Sequence, residues 1–252
     1  MPKLEISKIH DAYATSGECP ICTVMNQAEI TYLNSFRGAR VMAPHIRVGT
    51  NKVGFCPRHY EQLYQGEGKL GLSLMVHTHM GHSLPKLHQR LEALQAARMG
   101  RMKRWPLARL FRVGDDMIGL PALADYLRGM IRRCYICDLL AGDLERYTFT
   151  VVYLWQNDEE FLPKLRTSAG FCLAHFADLI DHVGHTLNSS QQTRWLQEVA
   201  PLMLENLQRL EQEVYAFTQM YHHSNPGIGT QTERSALKRA LQKLAGRFME
   251  ME

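Results

Sequence analysis

Two short motifs, each occurring twice, constrain this chain more than anything else in it. Cys19-Pro20-Ile21-Cys22 is answered by Gly54-Phe55-Cys56-Pro57-Arg58-His59, and Cys134-Tyr135-Ile136-Cys137 is answered by Gly170-Phe171-Cys172-Leu173-Ala174-His175. The Cys-x-x-Cys pairs stand 115 positions apart and the Cys-x-x-His pairs 116 apart. One residue of slippage over so long a stretch reads as duplication of one module. The flanks agree, since Gly-Phe precedes the third Cys in both copies and an aromatic residue, Tyr60 or Phe176, follows each His.

Each copy offers three thiols and one imidazole, a donor set suited to tetrahedral zinc. The candidate metal ligands are Cys19, Cys22, Cys56, His59, Cys134, Cys137, Cys172 and His175, and two zinc ions are expected. All six cysteines are used, which leaves none for a disulfide or a free thiol. The plain alternative is that these are buried cysteines and histidines without a metal, because free Cys is commonly buried. Pairing in series, one ion per copy, is the expectation; the sequence also allows the half-motifs to be exchanged between copies. Cys56 and His59 stand at the start of a predicted helix, whose unpaired amides favour a thiolate. Arg58, Arg132 and Arg133 are candidates to offset the negative charge of such a site, or are ordinary surface arginines.

The paired Cys-Pro-x-Cys and Gly-Phe-Cys-x-x-His motifs, the Thr50-Asn51-Lys52 lead-in, the run Phe55 to Tyr64 and the tail Ser235 to Leu244 together resemble an uncharacterised bacterial family classified only as a domain of unknown function. The resemblance covers nearly the whole chain. It implies a cytoplasmic bacterial protein with paired Cys3His sites and brings no activity with it.

With 252 residues, 45 % of them hydrophobic and 21 % charged, the chain can bury a sizeable core as one large or two small domains. Met1 to His10 has no apolar run, so no signal peptide is expected. No stretch reaches the roughly 18 apolar residues of a membrane span. Reduced cysteines in metal motifs point to the cytoplasm. The net charge of +4 is too mild to imply a nucleic-acid partner by itself.

Along the chain, residues 1–18 read as an extended lead, Thr23 to Phe36 as a helix stopped by Gly38, and Arg40 to Gly54 as an irregular connection. A long helical run follows Gly68, with a kink or break expected near Pro85. Its His77, His79, His82 and His88 suggest a further metal site, but no Cys or carboxylate accompanies them, and solvated or core-edge histidines are the better reading. Residues 98–115 are basic with interleaved Trp105 and Phe111, which fits either a charged linker or a weak nucleic-acid contact. Helices are predicted over Pro121 to Met130, Asp138 to Trp155 and Glu159 to Arg166. From Ser189 to Tyr221 an apolar stripe (Leu196, Val199, Met203, Leu207, Leu210, Val214, Phe217, Tyr221) marks the longest helix, a core helix in preference to a dimer seam. Asn225-Pro226-Gly227 ends it, and Thr230 with Glu233 suggests a capping box for a basic last helix through Leu244.

The expected fold is therefore mostly α: two pseudo-repeated helical zinc-binding modules with a long C-terminal bundle helix. The boundaries are 1–97 for the first Cys3His module, 98–115 for the basic linker, 116–222 for the second module and 223–252 for the turn and basic C-terminal helix. The expected function is a structural or interaction module with a protein partner, no membrane, weak nucleic-acid binding at most, and a homodimer left open. Closed four-ligand sites argue against catalysis. The alternatives are a thiol-disulfide oxidoreductase acting through the Cys-x-x-Cys pairs and a weak nucleic-acid binder acting through the linker.

Overall fold

In the computed structural model, which describes residues 4–15, 17–98, 119–220 and 231–246, all regular elements among the described residues are helical. They are α1 (Ile6–Ala14), α2 (Pro20–Arg37), a 3-10 turn (Ala39–Met42), α3 (Pro44–Val53), α4 (Pro57–Gln65), α5 (Lys69–Arg98), α6 (Leu120–Arg132), α7 (Tyr135–Asn157), α8 (Phe161–Thr167), α9 (Leu173–Thr186), α10 (Ser189–Gln219) and α11 (Gln231–Ala245). No described helix is long and apolar enough to cross a membrane. The basic linker, the Asn225-Pro226-Gly227 turn and Thr230 of the proposed capping box lie outside the described residues, apart from Arg98 at the end of α5.

Two stretches differ from the sequence reading. The supposed extended lead contains α1, which buries Ile9 and Ala12, three residues apart and so on one helical face. The supposed irregular connection is mostly α3. Pro44 begins it, where the missing N–H costs nothing, and Gly54 ends it at φ 71°. Pro85 does not break α5. It is exposed on the helix surface, where the carbonyl it leaves unpaired can face water.

The chain forms two compact units that do not follow one another in sequence. One is the continuous stretch Glu29–Leu140; the other combines Met1–Ala28 with Ala141–Glu252. In the discontinuous unit the core gathers Ile9, Ile21, Phe161, Phe171, Leu179, Trp195 and Val199 from α1, α2, α8, α9 and α10 and the lead-in to α9. Phe176 stacks on Trp195 at 6.0 Å between ring centroids. The long helix α10 starts with a reciprocal cap, Gln191 N–H donating to Asn188 Oδ1 at 3.0 Å and Asn188 N–H donating to Gln191 Oε1 at 3.1 Å. Its buried face is Trp195, Val199, Leu202, Met203 and Leu210, so the predicted stripe is displaced by one residue at its start, with Leu196 exposed. In the continuous unit, Phe36 meets Phe55 and Tyr135 edge-on at 5.6 and 5.9 Å, over Met75, Ile46 and Leu63.

The Gly-Phe lead-ins now have a reason. Gly54 and Gly170 both sit at φ 71°, a left-handed conformation that L side chains rarely adopt, and each turn swings the following Phe into a core. A Cβ at Gly54 would also fall 2.8 Å from His79 Nε2.

Beneath α10 and α11 lies a buried charge network. Glu18 is 4 % exposed and takes Arg209 at 2.7 Å and Arg239 at 3.1 Å, while the fully buried Lys243 donates from Nζ to the carbonyls of Glu18 (2.9 Å) and Ala169. Removing one partner of such a network leaves buried charge uncompensated. Glu18→Ala should lower stability by about 3–5 kcal/mol in urea denaturation, whereas Glu211→Ala on the exposed face of α10 should change it by less than about 0.5 kcal/mol.

Candidate metal centres

Each half-motif starts a helix. Cys19 to Cys22 leads into α2 with Pro20 as its first residue, and Cys134 to Cys137 leads into α7. Cys56 and Cys172 are the N-caps of α4 and α9, with their histidines three residues on, one turn into each helix. Backbone amides already point at the sulfurs: Cys22 N–H donates to Cys19 Sγ and His175 N–H to Cys172 Sγ, both at 3.5 Å. Helix N-termini supply these unpaired donors and a positive dipole end, both of which favour thiolates.

The structure collects all eight predicted side chains into two clusters, but it pairs them across the repeat. Cys19 and Cys22 meet Cys172 and His175, while Cys56 and His59 meet Cys134 and Cys137. The serial expectation, in which Cys19 and Cys22 share an ion with Cys56 and His59, is corrected: the half-motifs are exchanged. The physical reason is the packing of the two units, because each cluster lies wholly within one of them. In the continuous unit a backbone bond fixes the exchange, with Tyr135 N–H donating to the Gly54 carbonyl at 2.9 Å.

Within each cluster the donor atoms lie within 4.8 Å of one another. Around His175 Nδ1 the sulfurs of Cys19, Cys22 and Cys172 stand at 3.4, 3.4 and 3.2 Å. Around His59 Nδ1 those of Cys56, Cys134 and Cys137 stand at 3.3, 3.1 and 3.4 Å. Sulfur to sulfur, Cys22 and Cys172 are 3.6 Å apart and Cys56 and Cys137 are 4.0 Å apart. A tetrahedron with ordinary zinc–sulfur and zinc–nitrogen bonds has edges of about 3.8 Å between sulfurs and about 3.6 Å between sulfur and nitrogen. The donors therefore stand close to the separations that one small ion requires.

The donor groups also shift one another's protonation. Burial opposes ionisation of Cys134, but hydrogen bonds from His59 and from the backbone hold it down to about 6, whereas burial and Cys134 itself push Cys137 up to about 12. In the other cluster, hydrogen bonds to Cys172 and Cys19, with burial, drive Cys22 far up, while hydrogen bonds from Cys19 and Cys22 hold Cys172 well below the thiol range despite its burial. Burial pulls both imidazoles down, yet their thiolate neighbours, with Glu29 also acting on His59, carry each up to about 10. Sulfurs at this separation ionise together only with a cation among them, and a charged imidazole offsets one of them. A divalent metal would supply that cation.

The surroundings of the two clusters differ. Cys19, Cys22, Cys172 and His175 are all buried, whereas Cys56 is half-buried and Cys137 exposed. His59 Nε2 lies 2.8 Å from Glu29 Oε1, and the same carboxylate is gripped by Arg58. This carboxylate–histidine contact orients the ring so that Nδ1 faces the sulfurs. Arg58, a candidate to offset site charge directly, therefore acts through Glu29. In the discontinuous unit the nearby buried charge is Lys243: burial lowers its pKa, and the charges of Glu18, Cys19 and Cys172 act to raise it. The sequence singles out neither residue: Glu29 falls unremarked within the helix expected from Thr23 to Phe36, and Lys243 within the basic last helix. The four histidines of α5 do not form a cluster: His79 Nδ1 pairs with the Asn51 carbonyl at 2.9 Å, His82 pairs with Lys86, and His88 pairs with Glu92.

The exchange is testable by thiol mapping. Cys172→Ser should make Cys19 and Cys22 the newly alkylated cysteines in a mass-spectrometric footprint and leave Cys134 and Cys137 at their starting rates. Serial pairing would give the opposite pattern.

Neither a curated protein nor a solved structure matches the chain. A family match does extend over residues 2–251, nearly the whole length, and the chain belongs to the family of unknown function DUF6062.

Proposed function

We propose that each cluster holds one zinc ion and that the protein is a structural zinc protein whose helical units serve as an interaction module for a protein partner. The observation that carries this reading is the convergence of three thiols and one Nδ1 at each of two points, at separations fitting a four-coordinate ion. Thiolate and imidazole donors suit zinc, and they are poor ligands for calcium or magnesium, which take oxygen. Four protein ligands fill the coordination shell, so no position remains for the water or substrate that a catalytic zinc needs. What the metal supplies is a crosslink. Cys22 and Cys172 are 150 residues apart and His59 and Cys134 are 75 apart, so each ion ties helix starts that are remote in sequence.

The strength of that tie decides its importance. Structural zinc contributes on the order of 10 kcal/mol in small folded sites, which is comparable to the whole stability of a typical domain, about 5–15 kcal/mol. Elemental analysis of protein purified without added metal should give two zinc ions per chain, and removing them with a chelator should abolish cooperative unfolding. A metal content near zero, or insulin reduction by the zinc-loaded protein, would overturn the reading.

A second prediction separates the clusters. Glu29→Gln removes the carboxylate behind His59 and should weaken zinc at the Cys56 cluster about 10–100-fold. The Cys19 cluster should keep its affinity. Competition against a chromophoric chelator resolves the two steps.

A further inference from the structure

A cavity of about 220 Å³ in the continuous unit is lined by cations from three helices. Lys52 comes from the end of α3, His79, His82 and Lys86 from α5, and Tyr126 and Arg133 from α6 and the residue that caps it. No acidic side chain lines it. Among the described residues, Lys52, Lys86 and Arg133 form no ion pair with a carboxylate. Lys86 Nζ is instead held by donating to His82 Nε2 at 2.6 Å. Partial desolvation and then the charges of Lys86, His79 and Lys52 push the His82 imidazole below its ordinary pKa. The aromatic wall is fixed from behind, with the Arg90 guanidinium over the Tyr126 ring at 4.1 Å.

Helix ends explain part of this charge, but not all of it. Lys52 and Arg133 stand at the C-terminal ends of α3 and α6, where a cation offsets a dipole end worth about half a negative charge. Two such ends cancel about one of the three formal cations. Lys86 lies in the interior of α5, where no helix end accounts for it. The cavity thus keeps an uncompensated positive field with rotatable N–H donors on facing helices, an arrangement that favours a multiply charged oxyanion.

We propose that this cavity is a binding site for a compact phosphate-bearing small molecule, with Lys52, Lys86 and Arg133 as the charge-pairing residues. Its volume lies below the roughly 300–1,000 Å³ of pockets for drug-sized ligands, so a phosphomonoester or pyrophosphate group fits and a large cofactor does not. A small, partly open cavity bounded by three helices also suits a small anion better than a nucleic-acid strand, which needs an extended groove. The site is adjacent in sequence to the neighbouring metal cluster, since Arg133 directly precedes Cys134 and Lys52 lies four residues before Cys56.

The experiment is calorimetric titration of the full chain, its metal content measured beforehand so that a failure here is distinct from a failure of the zinc reading. The probes are inorganic pyrophosphate, inorganic phosphate and glycerol 3-phosphate in a chloride buffer. Saturable binding at one equivalent is expected for at least one probe. It should weaken at least tenfold in Lys86→Met and in Arg133→Met, weaken with added salt, and persist in Arg128→Met, an exposed control on α6. The altered side chains are exposed, and thermal melts matching the parent protein verify folding; Lys52→Met provides a third independent variant. Absence of saturable binding by all three probes would overturn the proposal, as would equal binding in all variants. Preferential binding of a single-stranded oligonucleotide that displaces pyrophosphate would replace the small-molecule assignment with a nucleic-acid one.

Discussion

The two candidate metal centres depend on sulfurs gathered at helix N-termini. A helix start offers unpaired amides and a positive dipole end, and a Cys at or near the N-cap accepts from them as Cys172 does from His175 N–H. One helix start stabilises part of a negative charge. Two helix starts facing each other, each bringing sulfur, concentrate negative charge that is relieved by protonating some of the thiols or by a cation among them. In both clusters a Cys-x-x-Cys helix meets a Cys-x-x-His helix, so the same local grammar is used twice with the partners exchanged.

The surroundings then set the two clusters apart. With the proposed divalent ion bound, three thiolates and a neutral imidazole would leave one net negative charge. In the discontinuous unit the fully buried Lys243 stands beside the cysteines and Glu18, compensating charge where water is excluded. In the continuous unit Cys137 is exposed, so solvent screens the charge, and the structural effort goes into orienting His59 through Glu29 and Arg58. Burial and compensation thus go together, as expected where an unpaired charge is far costlier inside than at the surface.

The donors were legible in the sequence because Cys-x-x-Cys and Cys-x-x-His are local patterns, and their chemistry is fixed by three-residue spacing at a helix start. Their pairing was not, and chain entropy shows why. Closing Cys22 onto Cys172 instead of onto Cys56 lengthens the loop about fourfold, and the other cluster's loop about doubles. The total cost is about 2 kcal/mol, small against metal binding and core packing, so spacing cannot choose between serial and exchanged pairing. The long α10 was readable from its apolar stripe and α6, α7, α8 and α11 were also expected as helices, whereas α1, α3 and the span of α9 were not. α1 and α3 are short, bury only Ile9 with Ala12 and Ile46 with Thr50, and α3 carries Pro44 and Gly49, residues that read as loop formers. Lys243 and Glu29 could not be found by pattern at all, since what distinguishes them from other surface-type charges is burial beside sulfur or a contact across 30 residues.

The nesting of the units also distributes the entropy of folding. Glu29–Leu140 contains every donor of its own cluster and both members of the Phe36–Tyr135 ring contact, so it can order itself from contiguous chain. Once it has done so, Phe36 and Tyr135 are held 5.9 Å apart between ring centroids, although 99 positions separate them in sequence. The loop that the discontinuous unit must close, from Cys22 to Cys172, is shortened by that contact from 150 positions to 14 on one side and 37 on the other. The inserted unit therefore supplies part of that long-range closure, about 1 kcal/mol for a roughly threefold shorter loop. Loss of order around Cys56, His59, Cys134 and Cys137 consequently lengthens the loop closed by Cys19, Cys22, Cys172 and His175, while the reverse dependence is absent because the inserted stretch needs no donor from outside itself.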